Sequence, residues 1–158
     1  MAGAILLLFG GTSAVWAREP LGAWRGWAAF RDDDPVRCHA VSAPPTGPRG
    51  AFAAVGYRPG RSASGQVHIR FARPSRSGSA ILLSVDDQLF QLRGRGMDAW
   101  AADAAADRAI VAAMRTGVRM ATSTRDAEGR PVTDRYALTG AASAMDAAAI
   151  ACRRGADD

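Results

Sequence analysis

The stretch Gln66-Val67-His68-Ile69-Arg70-Phe71-Ala72-Arg73 alternates apolar and polar side chains. Val67, Ile69 and Phe71 fall on one side of an extended chain, and His68 and Arg70 fall on the other. This period of two is typical of a β-strand with one face against a core and one face in water. We therefore predict a half-buried strand here, with His68 on its solvated face.

Further short strands are predicted on both sides of this segment because turn-forming residues separate runs of apolar side chains. Upstream, the Trp24, Trp27 and Phe30 cluster reads as one strand that ends at a polar turn, Asp32-Asp33-Asp34-Pro35. The other predicted strands cover residues 38–43 and 52–57, a hairpin of 80–85 and 88–92, and a second hairpin of 118–124 and 131–138.

Two helices are predicted in the second half of the chain. Asp103 or Asp107 caps a segment in which Ile110, Val111 and Met114 share one face, and Gly117 ends it. The other helix begins at about Ala141, with a stripe formed by Met145, Ala148, Ala149 and Cys152.

The length of 158 residues fits one domain, and no linker or repeat divides the chain. About seven or eight short strands with few helices predict a mainly β fold. We expect an antiparallel β-sandwich or partly closed barrel with one or two helices, including a C-terminal helix. Residues 18–158 would form this single β-rich globular domain.

Residues 1–17 carry no charged side chain and contain the apolar block Ala4-Ile5-Leu6-Leu7-Leu8-Phe9. They end in Ala14-Val15-Trp16-Ala17, with small residues where signal peptidase cuts. The block is shorter than the roughly 20 residues that span a bilayer. We therefore predict a cleaved signal peptide and a mature chain without an integral membrane span. A buried N-terminal strand or an uncleaved anchor is the alternative.

The chain has two cysteines, Cys38 and Cys152, near the two ends of the predicted mature protein. In a periplasmic or extracellular space such a pair is normally oxidised. A disulfide across so long a loop stabilises a fold by about 4–5 kcal/mol at most in the chain-entropy model. We predict this disulfide, with two separate buried thiols as the alternative.

Three parts of the sequence resemble the invasion-associated locus B family. They are the early aromatic cluster followed by Cys38, the segment Asp87-Gln88-Leu89-Phe90-Gln91-Leu92-Arg93-Gly94, and Tyr136-Ala137-Leu138-Thr139-Gly140 before an alanine-rich helix. The resemblance covers most of the mature chain. It implies a small exported β-rich protein of Gram-negative bacteria, some of whose relatives are linked to host-cell invasion. It carries no catalytic residue over to this sequence.

The segment Gly94-Arg95-Gly96-Met97-Asp98-Ala99 matches the G-x-G-x-x-A pattern that holds a pyrophosphate between a strand and a helix. A dinucleotide-binding domain also needs alternating strands and helices around this pattern. Here the surrounding chain is hairpin-like and Trp100 crowds the turn. We therefore predict a glycine turn that reverses the chain, and no cofactor.

Metal-binding and catalytic patterns are absent from the sequence. His39 directly follows Cys38, which is not the spacing of a zinc site, and Asp32-Asp33-Asp34 lacks the glycine and distal glutamate of a calcium loop. Gly60-Arg61-Ser62-Ala63-Ser64 lacks the final glycine of a nucleophile elbow, and a disulfide would remove the Cys38 thiol. We predict a non-enzymatic protein with no catalytic, cofactor or metal residues. An unrecognised hydrolase is an alternative, since triads assemble from distant residues.

All 20 basic side chains are arginine, and they are unevenly distributed. Residues 18–95 hold 12 basic and 6 acidic side chains, a balance of +6, whereas residues 96–158 hold 8 and 9, a balance of −1. A stretch without acids contains six of the arginines: Arg49, Arg58, Arg61, Arg70, Arg73 and Arg76. On one face they would bind an anion through contacts that weaken with salt. Scattered solvated arginines are the alternative.

The sequence therefore predicts a periplasmic or secreted, non-enzymatic envelope or interaction protein. A binder of anionic glycan or lipopolysaccharide through the arginine-rich face is one alternative, and the hydrolase is another. The expected partners are envelope or host anionic glycans or an acidic protein. Nucleic acid is excluded as a partner of an exported protein.

Overall fold

The computed structural model describes residues 18–60 and 65–154, so the predicted signal peptide, residues 1–17, lies outside the described residues. The described chain contains ten strands and two helices. They are β1 (Glu19–Trp24), β2 (Trp27–Asp33), β3 (Val36–Ser42), β4 (Phe52–Tyr57), β5 (Gln66–Arg70), β6 (Ile81–Val85), β7 (Gln88–Arg95), β8 (Asp98–Ala101), α1 (Ala104–Thr116), β9 (Arg119–Arg125), β10 (Pro131–Ala137) and α2 (Ala141–Arg154).

All the strands form one antiparallel sheet in the order β1-β2-β3-β4-β5-β8-β7-β6-β9-β10. The order departs from the chain order in the middle, because the hairpins of β6, β7 and β8 fold back and bring β8 beside β5. His68 of β5 thereby faces Trp100 of β8, and Arg70 faces Asp98. Residues separated by about 30 positions in sequence become neighbours on one surface.

Both helices pack against the same side of the sheet, which we call the inner face. α2 contacts β1 to β4, and α1 contacts β5 to β8. Every second residue of the strands points into the core between the sheet and the helices. The large, fully buried side chains of the strands include Trp27, Val55, Val67, Ile69, Leu83, Val85 and Met120. The opposite side, which we call the outer face, carries the remaining strand residues and no helix.

The predicted helix signals are confirmed. Asp103 caps α1, and its side chain accepts hydrogen bonds from the backbone N–H groups of Ala105 and Ala106 at 2.9 and 2.8 Å. The buried stripe of α2 runs from Ala141 to Cys152. Before α2, Gly140 has a φ of +93°, and a Cβ there would collide with the carbonyl of Trp24. Only glycine therefore allows α2 to start this close to the β1–β2 hairpin.

The predicted mainly β, antiparallel fold with a C-terminal helix is confirmed, but the strand count was too low. The segment read as one strand around Trp24 and Trp27 is two strands joined at Arg25-Gly26, where Arg25 takes a φ of +56°. Arginine gives no turn signal, which hid this hairpin. Asp32 and Asp33 belong to β2 rather than to the turn.

The glycine segment is a turn that reverses the chain, as predicted, with Gly96 at a φ of +61°. The turn leads into β8 rather than directly into a helix, so the segment lacks the strand-to-helix setting of a pyrophosphate-binding turn. Within the described residues, neither helix has the length and hydropathy needed to cross a membrane.

Candidate functional site

The outer face carries most of the charge of the strands. Within β2 to β10 its acidic groups are Asp32 and Asp98, and its histidines are His39 and His68. It also presents seven arginines: Arg37, Arg70, Arg93, Arg95, Arg119, Arg125 and Arg135. Because neither helix covers this side, the arginines are exposed or half-buried. The outer face is therefore a broad basic surface.

A cavity of about 390 Å³ opens on the outer face and extends to the first turn of α1, and we call it the β4 slot. Ala54 and Gly56 of β4 form its floor. His39 on β3 and His68 on β5 flank this floor, since His39 pairs with Gly56 and His68 with Ala54. The slot exists because β4 places its two smallest outer residues between strands that carry large ones.

His39 forms one side of the β4 slot. Its Nε2 lies 3.3 Å from an oxygen of Asp32 on β2. Its ring lies over Gly56, since its Nδ1 would be 3.5 Å from a Cβ at that position, an ordinary van der Waals distance. Burial lowers the pKa of His39, and the Asp32 carboxylate offsets part of this effect. Burial therefore favours the neutral ring of His39, whose nitrogens can form hydrogen bonds.

His68 and Trp100 form the other side of the slot. Their rings stack with centroids 5.2 Å apart and planes within 5° of parallel, and Phe52 meets His68 edge-on at 5.2 Å. Nε2 of His68 lies 2.9 Å from Asp98, which also receives both hydrogen bonds of Arg70 at 2.9 and 3.0 Å. His68 lies on the outer face as predicted, but it is half-buried and paired rather than solvated.

Polar groups complete the lining of the β4 slot. Arg37 and Arg58 contribute guanidinium groups, Gln66 an amide, and Asp107 of α1 a carboxylate. One oxygen of Asp107 accepts the backbone N–H of Val67 at 2.8 Å. Burial raises the pKa of Asp107, and the Val67 hydrogen bond opposes this rise. The slot thus combines rings, cations and hydrogen-bonding groups.

The arginines singled out in the sequence do not all meet on one surface. Arg49 and Arg58 lie beyond opposite ends of β4, which is about 20 Å long at ~3.3 Å per residue. Arg70 is on the outer face, paired with Asp98, and Arg73 lies 4.0 Å from Asp126. Arg76 precedes β6 and is exposed, and Arg61 lies outside the described residues. Of the six, Arg58 lines the slot. Anion binding by this set stays a prediction.

The Cys38–Cys152 disulfide is confirmed. It joins β3 to α2 with the two Cα atoms 5.7 Å apart, inside the usual range for a disulfide. Both cysteines are buried on the inner face. Since His39 follows Cys38, the bond also anchors the strand that forms one side of the β4 slot.

Comparison with known proteins gives one informative result. No protein-family model matches the chain, and no curated protein matches it. The crystal structure of invasion associated protein B from Bartonella henselae superposes with a TM-score of 0.59, over 82% of this chain and 95% of that chain. The present chain has that fold. At 17% sequence identity, the match confirms the predicted resemblance to the invasion-associated locus B family at the level of the fold.

Proposed function

We propose that this chain is an exported, non-enzymatic protein of the bacterial cell envelope that acts by binding a partner on its outer face. The observation that carries the proposal is the match to invasion associated protein B, which extends over 95% of that chain. A fold shared over this length supports the resemblance to the invasion-associated locus B family, and that resemblance implies an exported protein.

Export is supported by the disulfide and by the first residues of the sequence. A buried bond between Cys38 and Cys152 persists in an oxidising compartment such as the periplasm or the extracellular medium. The uncharged apolar segment of residues 1–17 has the anatomy of a signal peptide. We infer that the mature chain begins at Arg18.

A binding role is supported by how the reactive side chains are used. Both cysteines are in the disulfide. In the described part of the chain, each histidine ring contacts an aspartate, and no serine or threonine hydroxyl bonds to either ring. The contacts with aspartate fix the histidine rings in place. We therefore favour a binding function over hydrolysis.

Intact mass tests this proposal. The protein would be expressed in a Gram-negative host, and periplasm, medium and cytoplasm would be separated before mass measurement with and without reduction. We expect a chain that begins at Arg18 in the periplasm or medium, two hydrogens lighter before reduction. A Cys38→Ser/Cys152→Ser variant is the control for the mass shift. An unprocessed cytoplasmic chain with two thiols would overturn the proposal.

A second candidate function, recognition of an anionic glycan or lipopolysaccharide, is favoured by the charge of the outer face. Seven arginines and two aspartates on β2 to β10 attract polyanions through contacts that salt screens. The expected result is retention on immobilised heparin with elution by moderate salt. If the protein passes through the heparin column at low salt without binding, this candidate function is excluded.

A further inference from the structure

We propose that the β4 slot binds one unit of an acidic sugar, with its ring between His39 and His68 and its carboxylate on Arg37 and Arg58. This inference deepens the proposed function and rests on it, because export is what brings such sugars within reach. Surface glycans of bacteria and of animal hosts both contain carboxylated sugars, and the chemistry of recognition is the same for both.

The dimensions of the β4 slot fit a single sugar ring. Its volume of about 390 Å³ lies within the range of small-molecule sites. β3 and β5 are separated by β4, so their axes lie about 9.6 Å apart at ~4.8 Å per strand spacing. His39 and His68 face each other diagonally across this gap, opposite Gly56 and Ala54. With Ala54 and Gly56 as the floor, one six-membered ring can enter edge-on between the flanking side chains.

The sides of the slot suit the faces of a sugar ring. Sugars present C–H groups on their faces and hydroxyls around their edges. The His68 and Trp100 pair offers aromatic surface that is already held in place by Phe52 and Asp98, so ligand binding orders few side chains. Gln66 and Asp107 supply an amide and a carboxylate for the hydroxyls.

Charge selects an anionic ligand. Each acidic group at the slot has a partner. Asp32 contacts Arg18 and His39, and Asp98 contacts Arg70 and His68. Asp107, which lines the slot, accepts the backbone N–H of Val67 with one oxygen and has the other for a sugar hydroxyl. Across the described residues, Arg37 and Arg58 have no carboxylate within 4.0 Å. Guanidinium groups pair with carboxylates through two parallel hydrogen bonds. A carboxylated sugar therefore matches both the rings and the cations of the slot.

Nuclear magnetic resonance of the ¹⁵N-labelled, disulfide-bonded protein tests the inference. The probes are 3-deoxyoctulosonic acid, a sugar of bacterial lipopolysaccharide, and N-acetylneuraminic acid, a sugar of animal glycans. Neutral glucose and acetate are added separately at the same concentrations. We expect an acidic sugar to shift the Trp100 indole N–H and the backbone amides of Ala54 and Gly56, while glucose and acetate bind at least about tenfold more weakly.

Variants separate binding in the slot from the effect of the protein's overall charge. Arg37→Ala and Arg58→Ala should each weaken acidic-sugar binding roughly tenfold, the value of a charge-assisted hydrogen bond. Gly56→Val should abolish it, because a side chain there fills the floor, and its backbone has no positive φ that would strain valine. Arg153→Ala, an exposed residue of α2 that lies outside the outer face, removes the same charge and should leave binding unchanged.

The outcomes are distinct. Binding of one acidic sugar supports the inference and identifies the bacterial or the animal source, and binding of both supports the shared chemistry. The inference is overturned if neither sugar shifts the slot residues, if acetate alone shifts them equally, or if Arg153→Ala weakens binding as much as Arg37→Ala. A correctly processed, oxidised protein that binds neither sugar would overturn the slot and leave the proposed export and envelope role standing.

Discussion

The two faces of the sheet are built from the same strands but by different rules. On the inner face, alternate residues such as Val67 and Ile69 are almost fully buried under two helices. On the outer face, the residues between them are polar: His68 and Arg70 both contact Asp98, and His68 lines the β4 slot. The inner face holds the fold together, and the outer face presents the charged surface on which we propose that a partner binds.

A periodic sequence pattern predicts which strand residues are buried, but it does not predict a site on the surface of the sheet. Burial of an alternate residue needs only a core on that side of the strand, so local sequence is enough. A site on the outer face depends on which strands become neighbours. Trp100 meets His68 only because β8 returns to β5, and this return is decided by packing far along the chain.

The largest expected effect comes from the inner face. Replacing both cysteines, Cys38→Ala/Cys152→Ala, should lower the free energy of unfolding by up to about 4–5 kcal/mol, because the cross-link closes a loop of 114 residues. Urea unfolding of the oxidised wild type and the variant measures this. Reduced wild type is the control and should match the variant. Equal stability of all three would mean that the bond does not anchor α2.

Gly140→Ala should be the next most disruptive change. The added Cβ would collide with the Trp24 carbonyl at a φ of +93°, so α2 must shift away from the β1–β2 hairpin. We expect a loss of about 2–4 kcal/mol by thermal or urea unfolding. Gly96→Ala is the matched control, since Gly96 also has a positive φ but open space around it, and it should cost only about 1 kcal/mol. Similar losses in both variants would contradict the close approach.

Asp134 is a polar exception within the buried residues of the sheet. It is buried opposite Thr122, and its Oδ2 accepts no hydrogen bond from the described residues. Burial raises the pKa of Asp134. Folding therefore favours the protonated acid, and this contribution is present below the unfolded pKa and is lost as pH rises through the folded pKa.

Asp134→Asn should consequently stabilise the protein at pH 7, by on the order of 1 kcal/mol, since it removes a buried charge that lacks partners. The gain should shrink towards zero as the pH falls below the unfolded pKa of about 3.9. Urea unfolding from pH 3 to pH 8 measures it. A gain that is independent of pH would show that the charge is not the cause.

The smallest expected effect on stability is on the outer face. Arg135→Ala should change the free energy of unfolding by no more than about 0.5 kcal/mol, because the exposed side chain is outside the core. A loss near that of Gly140→Ala would show that the outer face also carries the fold.

Much of the fold could be predicted from the sequence. The alternation in residues 66–70, the Asp103 cap and the stripe that ends in Cys152 each depend on neighbours within a turn or two, and each is confirmed. The β1–β2 turn was missed because Arg25 adopts a positive φ without glycine at that position. β8 was missed because its four residues are too few to show a period.

The candidate site was less accessible from sequence. Residues 49–76 contain six arginines and no acidic residue, which suggested one basic patch. However, Arg49 and Arg58 lie beyond opposite ends of β4. Alternation in β3 places Arg37 and His39 on its polar side and could have shown them as surface residues. No local pattern shows that they line the same cavity as Gln66 and Asp107, because that depends on the strand order and on the position of α1.

We propose that anion binding depends on the arginines of the outer face and not on the net charge of the protein. Immobilised heparin tests it with two variants of equal charge, Arg119→Ala/Arg135→Ala on the outer face and Arg108→Ala/Arg153→Ala on the helices, all four side chains being exposed. We expect the outer-face variant to elute at a clearly lower salt concentration than wild type. The helix variant should elute at nearly the same salt concentration as wild type. Equal reductions in elution salt for the two variants would contradict it.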